Sequence, residues 1–169
     1  MKKLFISLAL LCSNNAFANL VHISPDMRIG PYAGSGISGG GLQLGLADTL
    51  GLDAVYVSYS HTSAEFLRTD KDRIKTYRVG GQYELVSYPK MALQLEVGVV
   101  EYEGSRQILW EDRRYREGQG ASISASWVMF INDHLGFRAG GDFNFIDSSD
   151  TFLSSTFSAT FSTGIVFQF

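Results

Sequence analysis

The chain has 169 residues, of which 14 are basic and 17 are acidic, so its formal net charge is −3. This balance argues against nucleic acid as a partner, because nucleic-acid binding usually shows a basic stripe. Mean hydropathy is close to neutral, and after the first 18 residues no apolar stretch reaches the roughly 20 residues of a membrane helix. Neutral hydropathy with many aromatic residues and 18 glycines is expected when half of each strand faces lipid.

The first residues have the pattern of a secretory signal peptide. Two lysines precede an apolar run over residues 4–11, and a small-x-small cleavage signal ends at Ala18. We therefore predict a signal peptide over residues 1–18 and one mature domain over residues 19–169, with 12 basic and 17 acidic residues and a net charge of −5. Because the single cysteine is Cys12, the mature chain has no disulfide framework and no thiolate metal site.

Four strands are predicted in the first half of the mature chain from a period of two in apolar residues. The first lies within residues 27–34, where the alternation is weakest, and the second carries Leu42, Leu44 and Leu46 on one face. The third covers residues 52–65 and the fourth covers residues 73–86. Residues 48–51 are predicted as a short turn and residues 67–72 as an outer loop.

Four more strands follow in the second half. The fifth strand begins at about residue 91. The sixth, seventh and eighth cover residues 120–131, 135–146 and 154–169. The predicted connections are a turn at residues 87–90, a charge-dense outer loop at 110–117, and turns at 132–134 and 148–150. Pro89 supports the first of these turns, because proline cannot sit in a central strand.

The last strand shows the alternation most clearly. Its odd positions from 157 to 169 are apolar or nearly so and end on a phenylalanine, whereas the even positions are mostly small or polar. Successive side chains of a strand point to opposite faces, so one face is apolar and the other is polar. A soluble domain seldom ends on so aromatic an edge, but a membrane barrel requires this pattern. The predicted fold class is an all-β, eight-stranded antiparallel up-and-down transmembrane β-barrel.

The polar face of the strands predicts an interior that is filled by side chains. It consists mostly of Ser, Gly, Thr and Gln, with a few charges of both signs. Buried charges are tolerated only when they are paired, and eight strands leave just enough room for side chains. We therefore predict an ion-paired lumen without a conducting pore. The predicted network consists of Arg78, Glu84, Glu96, Arg138 and Asp142.

Together, the signal, the eight strands and the terminal phenylalanine resemble the small outer-membrane β-barrel proteins, namely the OmpX/Ail group, the OmpA membrane domain and the opacity proteins. The C-terminal strand, with Phe161, Ile165, Phe167 and Phe169, resembles the signal by which the β-barrel assembly machinery recognises its clients. The resemblance implies a monomer without cofactor in the bacterial outer membrane, in contact with membrane lipid and lipopolysaccharide. It implies a structural or surface-interaction role, which covers envelope integrity, adhesion and lipopolysaccharide contact.

One motif predicts an alternative, enzymatic role. His61 and Ser63 lie two residues apart on the same predicted strand face, about 7 Å apart at their Cα atoms, and Glu65 follows on that face. A His and a Ser with an orienting carboxylate support acyl transfer, and the motif resembles that of PagL-type lipid A deacylases. It departs from that family at two positions. Ala64 follows the serine, where those enzymes have an asparagine, and the position equivalent to their acid falls near Lys75, which is not an acid.

A second cluster could bind phosphate groups. It comprises Arg106, Arg113, Arg114 and Arg116, near Trp110 and Tyr115. Arginine suits bidentate binding of phosphate, so the cluster is a possible lipopolysaccharide contact. The alternative is a solvated loop in which nearby glutamates and aspartates neutralise the arginines. No metal site is predicted, since the three histidines fall in separate segments.

Overall fold

Eight antiparallel strands form a closed barrel in a computed structural model of the chain, which confirms the predicted fold class. The strands are β1 (Val21–Ile29), β2 (Ile37–Thr49), β3 (Leu52–Phe66), β4 (Asp70–Ser87), β5 (Lys90–Arg106), β6 (Arg114–Phe130), β7 (Leu135–Ile146) and β8 (Phe157–Gln168). Each strand pairs with the next along the chain, and β8 pairs with β1.

The structure describes residues 21–30, 37–66, 70–107, 112–153 and 155–169. The predicted signal peptide and its cleavage site lie outside these residues and stay predictions. Within the described ranges, no helix is long and apolar enough to cross a membrane.

The two ends of the barrel differ in the length of their connections. At one end, which we call the turn end, β2 and β3 are joined by a tight turn in which Leu50 and Gly51 have φ of 59° and 77°. Residues 88–89 and 131–134 make the other short connections there. The three longest connections lie at the opposite, or loop, end. In outer-membrane barrels the short turns face the periplasm and the longer loops face outward.

The first strand was predicted in the wrong place. β1 occupies Val21–Ile29 and so begins before the predicted range of 27–34, with which it shares only residues 27–29, and it includes Pro25. The pairing of β1 with β8 covers His22 and Ile23 and resumes at Asp26, so Pro25 lies where the ladder is interrupted. A proline is tolerated in a strand at a position where no N–H is needed.

Two predicted outer loops were also partly wrong, because the strands are longer at the loop end than the alternation of apolar residues suggests. β4 begins at Asp70, inside the predicted loop 67–72, and β6 begins at Arg114, inside the predicted loop 110–117. Here both faces carry charged side chains, so the apolar period of two disappears while the strand pairing continues. The strands β3 to β6 have 15 to 18 residues, whereas about 9–11 are enough to cross a membrane.

An apolar belt surrounds the outside of the barrel. Its members are outward-facing and exposed, and they include Leu44, Val57, Val79, Leu95, Val97, Ile123, Phe137 and Phe161. At the loop end the belt stops at Tyr59 and Tyr77, whose rings lie 5.3 Å apart between centroids, and the next outward pair is His61 with Lys75. We call the part of β3 to β6 beyond this tyrosine pair (residues 61–66, 70–76, 100–106 and 114–120) the outer wall. It lies outside the membrane-spanning part.

The interior consists of three layers. An apolar cluster fills the turn end and another fills the loop end, and the buried layer between them is polar and charged. The turn-end cluster is Ala92, Val128, Phe130 and Val166. The loop-end cluster is Ile74, Val100, Tyr102 and Ile146, with Leu153 packed against it. The side chains therefore form a continuous plug through the barrel.

We expect the unfolding free energy to depend on the belt. Val97 lies near the middle of the belt and is 59% exposed, so Val97→Arg places a charge in lipid and lowers the unfolding free energy by about 2–4 kcal/mol. Denaturant titration in phospholipid vesicles measures this. The matched control is Gln119→Arg in the outer wall, which changes the value by about 0.5 kcal/mol or less. Equal small effects of both changes would show that Val97 does not face lipid.

Candidate functional site

Arg78 is the centre of the charged layer in the middle of the lumen. Its Nε lies 2.9 Å from Glu96 Oε2, and its Nη1 lies 3.0 Å from Asp142 Oδ1. The same Nη1 donates to Ser122 Oγ at 3.0 Å. Arg138 Nη1 approaches Glu96 Oε1 at 3.7 Å. The structure thus brings together four of the five residues of the predicted lumen network.

The first strand adds two further members, Asp26 and Arg28. Arg28 Nε donates to Asp26 Oδ1 at 2.9 Å, Arg28 also pairs with Asp142, and Arg138 pairs with Asp26. All of these side chains are buried. Strand one was predicted to begin no earlier than residue 27, so Asp26 fell outside it, and Arg28, which lies within it, was not included in the predicted network. Their signal was present, since the even positions of β1 are polar and its odd positions are mostly apolar.

These ion pairs connect strands that are not neighbours. Asp26 and Arg28 lie on β1, whereas Arg138 and Asp142 lie on β7, so both pairs cross over β8. The three arginines and three carboxylates balance in charge, which lowers the cost of burying them. Neutral groups complete the layer: Gln43 Nε2 donates to Glu96 Oε1 at 2.5 Å, and Ser58 Oγ donates to Glu96 Oε2 at 2.6 Å.

Glu84 does not belong to this network, which corrects the prediction. It lies at the turn end, where the register of β4 and β5 shifts between Glu84 and Val86. Its Oε1 accepts from Ser87 Oγ at 2.5 Å, and Lys90 Nζ lies 3.9 Å from its Oε2. The bulge and the nearby turn give Glu84 local partners, so its side chain does not reach the arginines in the middle of the lumen.

Residues 147–153, which we call the outer cap, fold over the loop end of the lumen. Two guanidinium groups contact the ring of Phe152, that of Arg106 at 5.1 Å and that of Arg116 at 4.8 Å from the ring centroid. The Phe152 N–H donates to Tyr102 Oη at 3.1 Å, and Arg116 donates to the carbonyl of Thr151. Thr151 is buried. The cap is therefore held against the loop end, where Leu153 packs on the apolar cluster.

The four arginines predicted to contact lipopolysaccharide do not form one outward-facing loop. Arg106 and Arg116 hold the outer cap, and Arg106 also pairs with Asp72 at 2.6 Å. Arg113 is exposed and donates to Gln107 Oε1 at 3.4 Å. Arg114 begins β6 opposite Arg106. The segments that carry the four arginines are mostly strand, so the side chains alternate between the two faces of the wall.

The outward face of the outer wall carries paired charges. Lys75 Nζ lies 2.5 Å from Glu103 Oε1, and Arg73 Nη1 lies 3.8 Å from Glu103 Oε2. The hydrogen bond from Lys75 lowers the pKa of Glu103, and the same bond raises the pKa of Lys75. Both groups are accessible to solvent, so the pair organises the surface more than it stabilises the fold.

His61, Ser63 and Glu65 all face outward, but their surroundings differ from those of a catalytic triad. Their cross-strand partners are cations: Lys75 opposite His61, Arg73 opposite Ser63 and Lys71 opposite Glu65. Burial and the charges of Arg73 and Lys75 lower the pKa of His61, whereas an orienting carboxylate would raise it. Glu65 is four residues from His61, about 13 Å along the strand, which is too far to orient the imidazole.

Two further carboxylates at the loop end, those of Asp70 and Asp72, are engaged elsewhere. Asp72 accepts hydrogen bonds from Tyr102 and Arg106 on the lumen side. Asp70 accepts from the backbone N–H of Gln107 at 3.3 Å and lies 3.7 Å from Arg106 Nε. In the described part of the chain, no group of three or more His, Cys, Asp or Glu residues could hold a metal ion.

Solved structures share this fold, although no protein-family model and no curated protein sequence matches the chain. The attachment invasion locus protein Ail of Yersinia pestis superposes with a TM-score of 0.65 at 12% identity, over 89% of this chain and 97% of Ail. The N-terminal barrel domain of Pseudomonas aeruginosa OprF gives 0.59 at 13% identity, over 89% and 98%. Neisserial surface protein A gives 0.58 at 12% identity, over 88% and 97%. The fold is that of a small outer-membrane barrel.

We expect the lumen pairs to be costly to break and much less costly to replace. Arg138→Met leaves Asp26 with a buried carboxylate that has lost one partner, so the unfolding free energy falls by about 3–5 kcal/mol. The double variant Asp26→Leu/Arg138→Met recovers most of this loss. Lys90→Met removes a half-exposed cation and costs about 1 kcal/mol or less. Denaturant titration in vesicles measures all three, and an equal loss in the single and double variants would contradict the pairing.

The surroundings of His61 predict that lipid A keeps its acyl chains. Mass spectrometry of lipid A should give the same pattern in cells that express the wild-type protein, the Ser63→Ala variant or no protein, because none of the carboxylates considered above, those of Glu65, Asp70 and Asp72, is placed to orient His61. A folded band on unboiled gels verifies expression. Loss of one acyl chain that depends on both Ser63 and His61 would show that the protein is a lipid A acyl hydrolase.

Proposed function

We propose that the protein is a non-conducting outer-membrane barrel with a structural or surface-interaction role, and that the outer wall is its interaction face. The observation that carries the proposal is the three-layer plug: two apolar clusters enclose a charge-balanced layer, and the outer cap covers the loop end. Because side chains fill the lumen, the surface that remains for a function lies outside.

The outer wall supports a role at the surface. It extends the barrel beyond the apolar belt and presents cations and carboxylates on its outward face. At this height, its neighbours are the head groups and sugars of the outer leaflet and the molecules of the medium. Lipopolysaccharide contact is the form of the role that the outward-facing cations Lys71, Arg73 and Arg113 favour, because phosphate groups pair with them.

The last strand supports localisation in the outer membrane. Phe161, Ile165 and Phe169 of the predicted assembly signal are exposed on the outward face, and Phe167 pairs with Ile23 across the closing seam. Contact with lipid requires this presentation, and the alternation that produces it is the pattern expected of the assembly signal. Ail, OprF and neisserial surface protein A have the same fold.

Planar-bilayer recording tests the absence of a pore. The purified protein should insert without discrete current steps, since charged and apolar layers both block the lumen. Heat-modifiable mobility of the reconstituted protein shows that it is folded, and a general porin provides the positive control for the recording. Steps of uniform conductance from the wild-type protein would overturn the non-conducting role, and fractionation away from the outer membrane would overturn the localisation.

A further inference from the structure

A groove in the outer wall has the shape of a small binding site. Two cross-strand rows of outward side chains line it: Lys71, Ser105 and Tyr115 in the upper row, and Arg73, Glu103 and Glu117 in the lower row. The groove encloses about 260 Å³. Ser105 is short and lies between the longer Lys71 and Tyr115, which produces the depression. We call this site the outer groove.

The charges in the outer groove favour an anion. Glu103 is neutralised by Lys75 and Arg73, which approach its two carboxylate oxygens. Lys71 and Arg113 also line the groove. A lysine ammonium and an arginine guanidinium are donors only, so a phosphate group completes their hydrogen bonding.

The remaining groups favour a sugar ring that carries this anion. Tyr115 is 71% exposed, and its ring offers an amphipathic platform on which the C–H face of a sugar can pack. Glu117 lies on the same strand, two residues along, and its carboxylate accepts hydrogen bonds from hydroxyl groups. A site for phosphate alone needs neither an exposed aromatic ring nor a second carboxylate.

The height of the groove fits the same ligand. The rows of Arg73 and Lys71 lie four and six residues beyond Tyr77 on β4. With about 3.4 Å per residue and a strand tilt of about 40°, they stand roughly 10 and 15 Å above the edge of the apolar belt. The groove therefore faces sideways into the layer where the sugars of an outer-leaflet glycolipid lie, and it is also open to the medium.

We propose that the outer groove binds a phosphorylated sugar unit, with its phosphate on Lys71 and Arg113, its ring against Tyr115 and a hydroxyl donating to Glu117. This inference rests on the proposed surface-interaction function and names its ligand chemistry. Two sources share that chemistry: a glycolipid of the same membrane and a soluble polysaccharide.

Titration of the protein in zwitterionic phospholipid nanodiscs tests the site, with backbone amide NMR shifts as the readout. Glucose 6-phosphate should bind saturably, at least tenfold more tightly than inorganic phosphate or glucose. Tyr115→Ala should reduce its affinity to that of inorganic phosphate and leave phosphate binding unchanged. The double variant Lys71→Gln/Arg113→Gln should bind glucose 6-phosphate at least tenfold more weakly than the wild-type protein. Lys90→Gln, which removes a cation at the turn end, far from the groove, should change nothing.

Three results would overturn the proposal: no saturable binding to the wild-type protein, equal affinity for phosphate and glucose 6-phosphate, or an unchanged affinity in Tyr115→Ala. Heat-modifiable mobility verifies that each variant is folded. Absence of sugar binding together with closed bilayer recordings and correct fractionation would refute the ligand but leave the proposed function standing.

Nanodiscs that contain lipopolysaccharide separate the two sources. If the membrane glycolipid fills the groove, the amide signals of its residues are already shifted and glucose 6-phosphate no longer titrates them. If the ligand comes from a soluble polysaccharide, glucose 6-phosphate titrates them equally with and without lipopolysaccharide. Both results support the site and assign its source.

Discussion

Closure of the barrel is the constraint on which the rest of the structure depends. In lipid, every backbone N–H and C=O group must find a partner within the protein, so an eight-stranded sheet has to close on itself. Here the closing ladder between β1 and β8 is interrupted at Ser24 and Pro25. The ion pairs of Asp26 and Arg28 with Arg138 and Asp142 cross β8 and connect β1 to β7 from the inside. The charged lumen therefore holds together the seam that the backbone closes least completely.

The plug determines where a function is located. Charges at the middle of the lumen are separated from the outside by the loop-end apolar cluster and the outer cap, and from the turn end by a second cluster. Arg106 and Arg116, two of the arginines predicted from the sequence to contact lipopolysaccharide, instead hold Phe152. In the described part of the chain, the outward face of the outer wall keeps charged groups available to an outside partner. The contacts inside the barrel and the proposed recognition at the surface thus use neighbouring side chains on opposite faces of the same strands.

The alternation of apolar and polar residues predicted the fold, because in a membrane barrel nearly every strand has one face toward lipid and the other toward the interior. The bounds of β7 agree with the prediction at both ends, since Phe137, Phe143 and Phe145 alternate with inward polar residues. The alternation of apolar residues did not predict the strand ends that extend beyond the apolar belt. Beyond Tyr77 the outward face lies past the apolar belt, so charged residues such as Arg73 and Lys75 take the place of apolar ones. The sequence of the strand then looks like that of a loop.

The sequence by itself determined the class of the protein, the count of strands, the face on which most side chains lie and four members of the lumen network. All of these follow from a period of two, which is a local property of the chain. Only the tertiary structure decided which charges meet. The pairing of Arg138 with Asp26 joins residues at opposite ends of the chain, and the outer groove takes Lys71, Ser105 and Tyr115 from three strands. Such contacts depend on register and closure, because a shift of one residue moves every side chain to the other face.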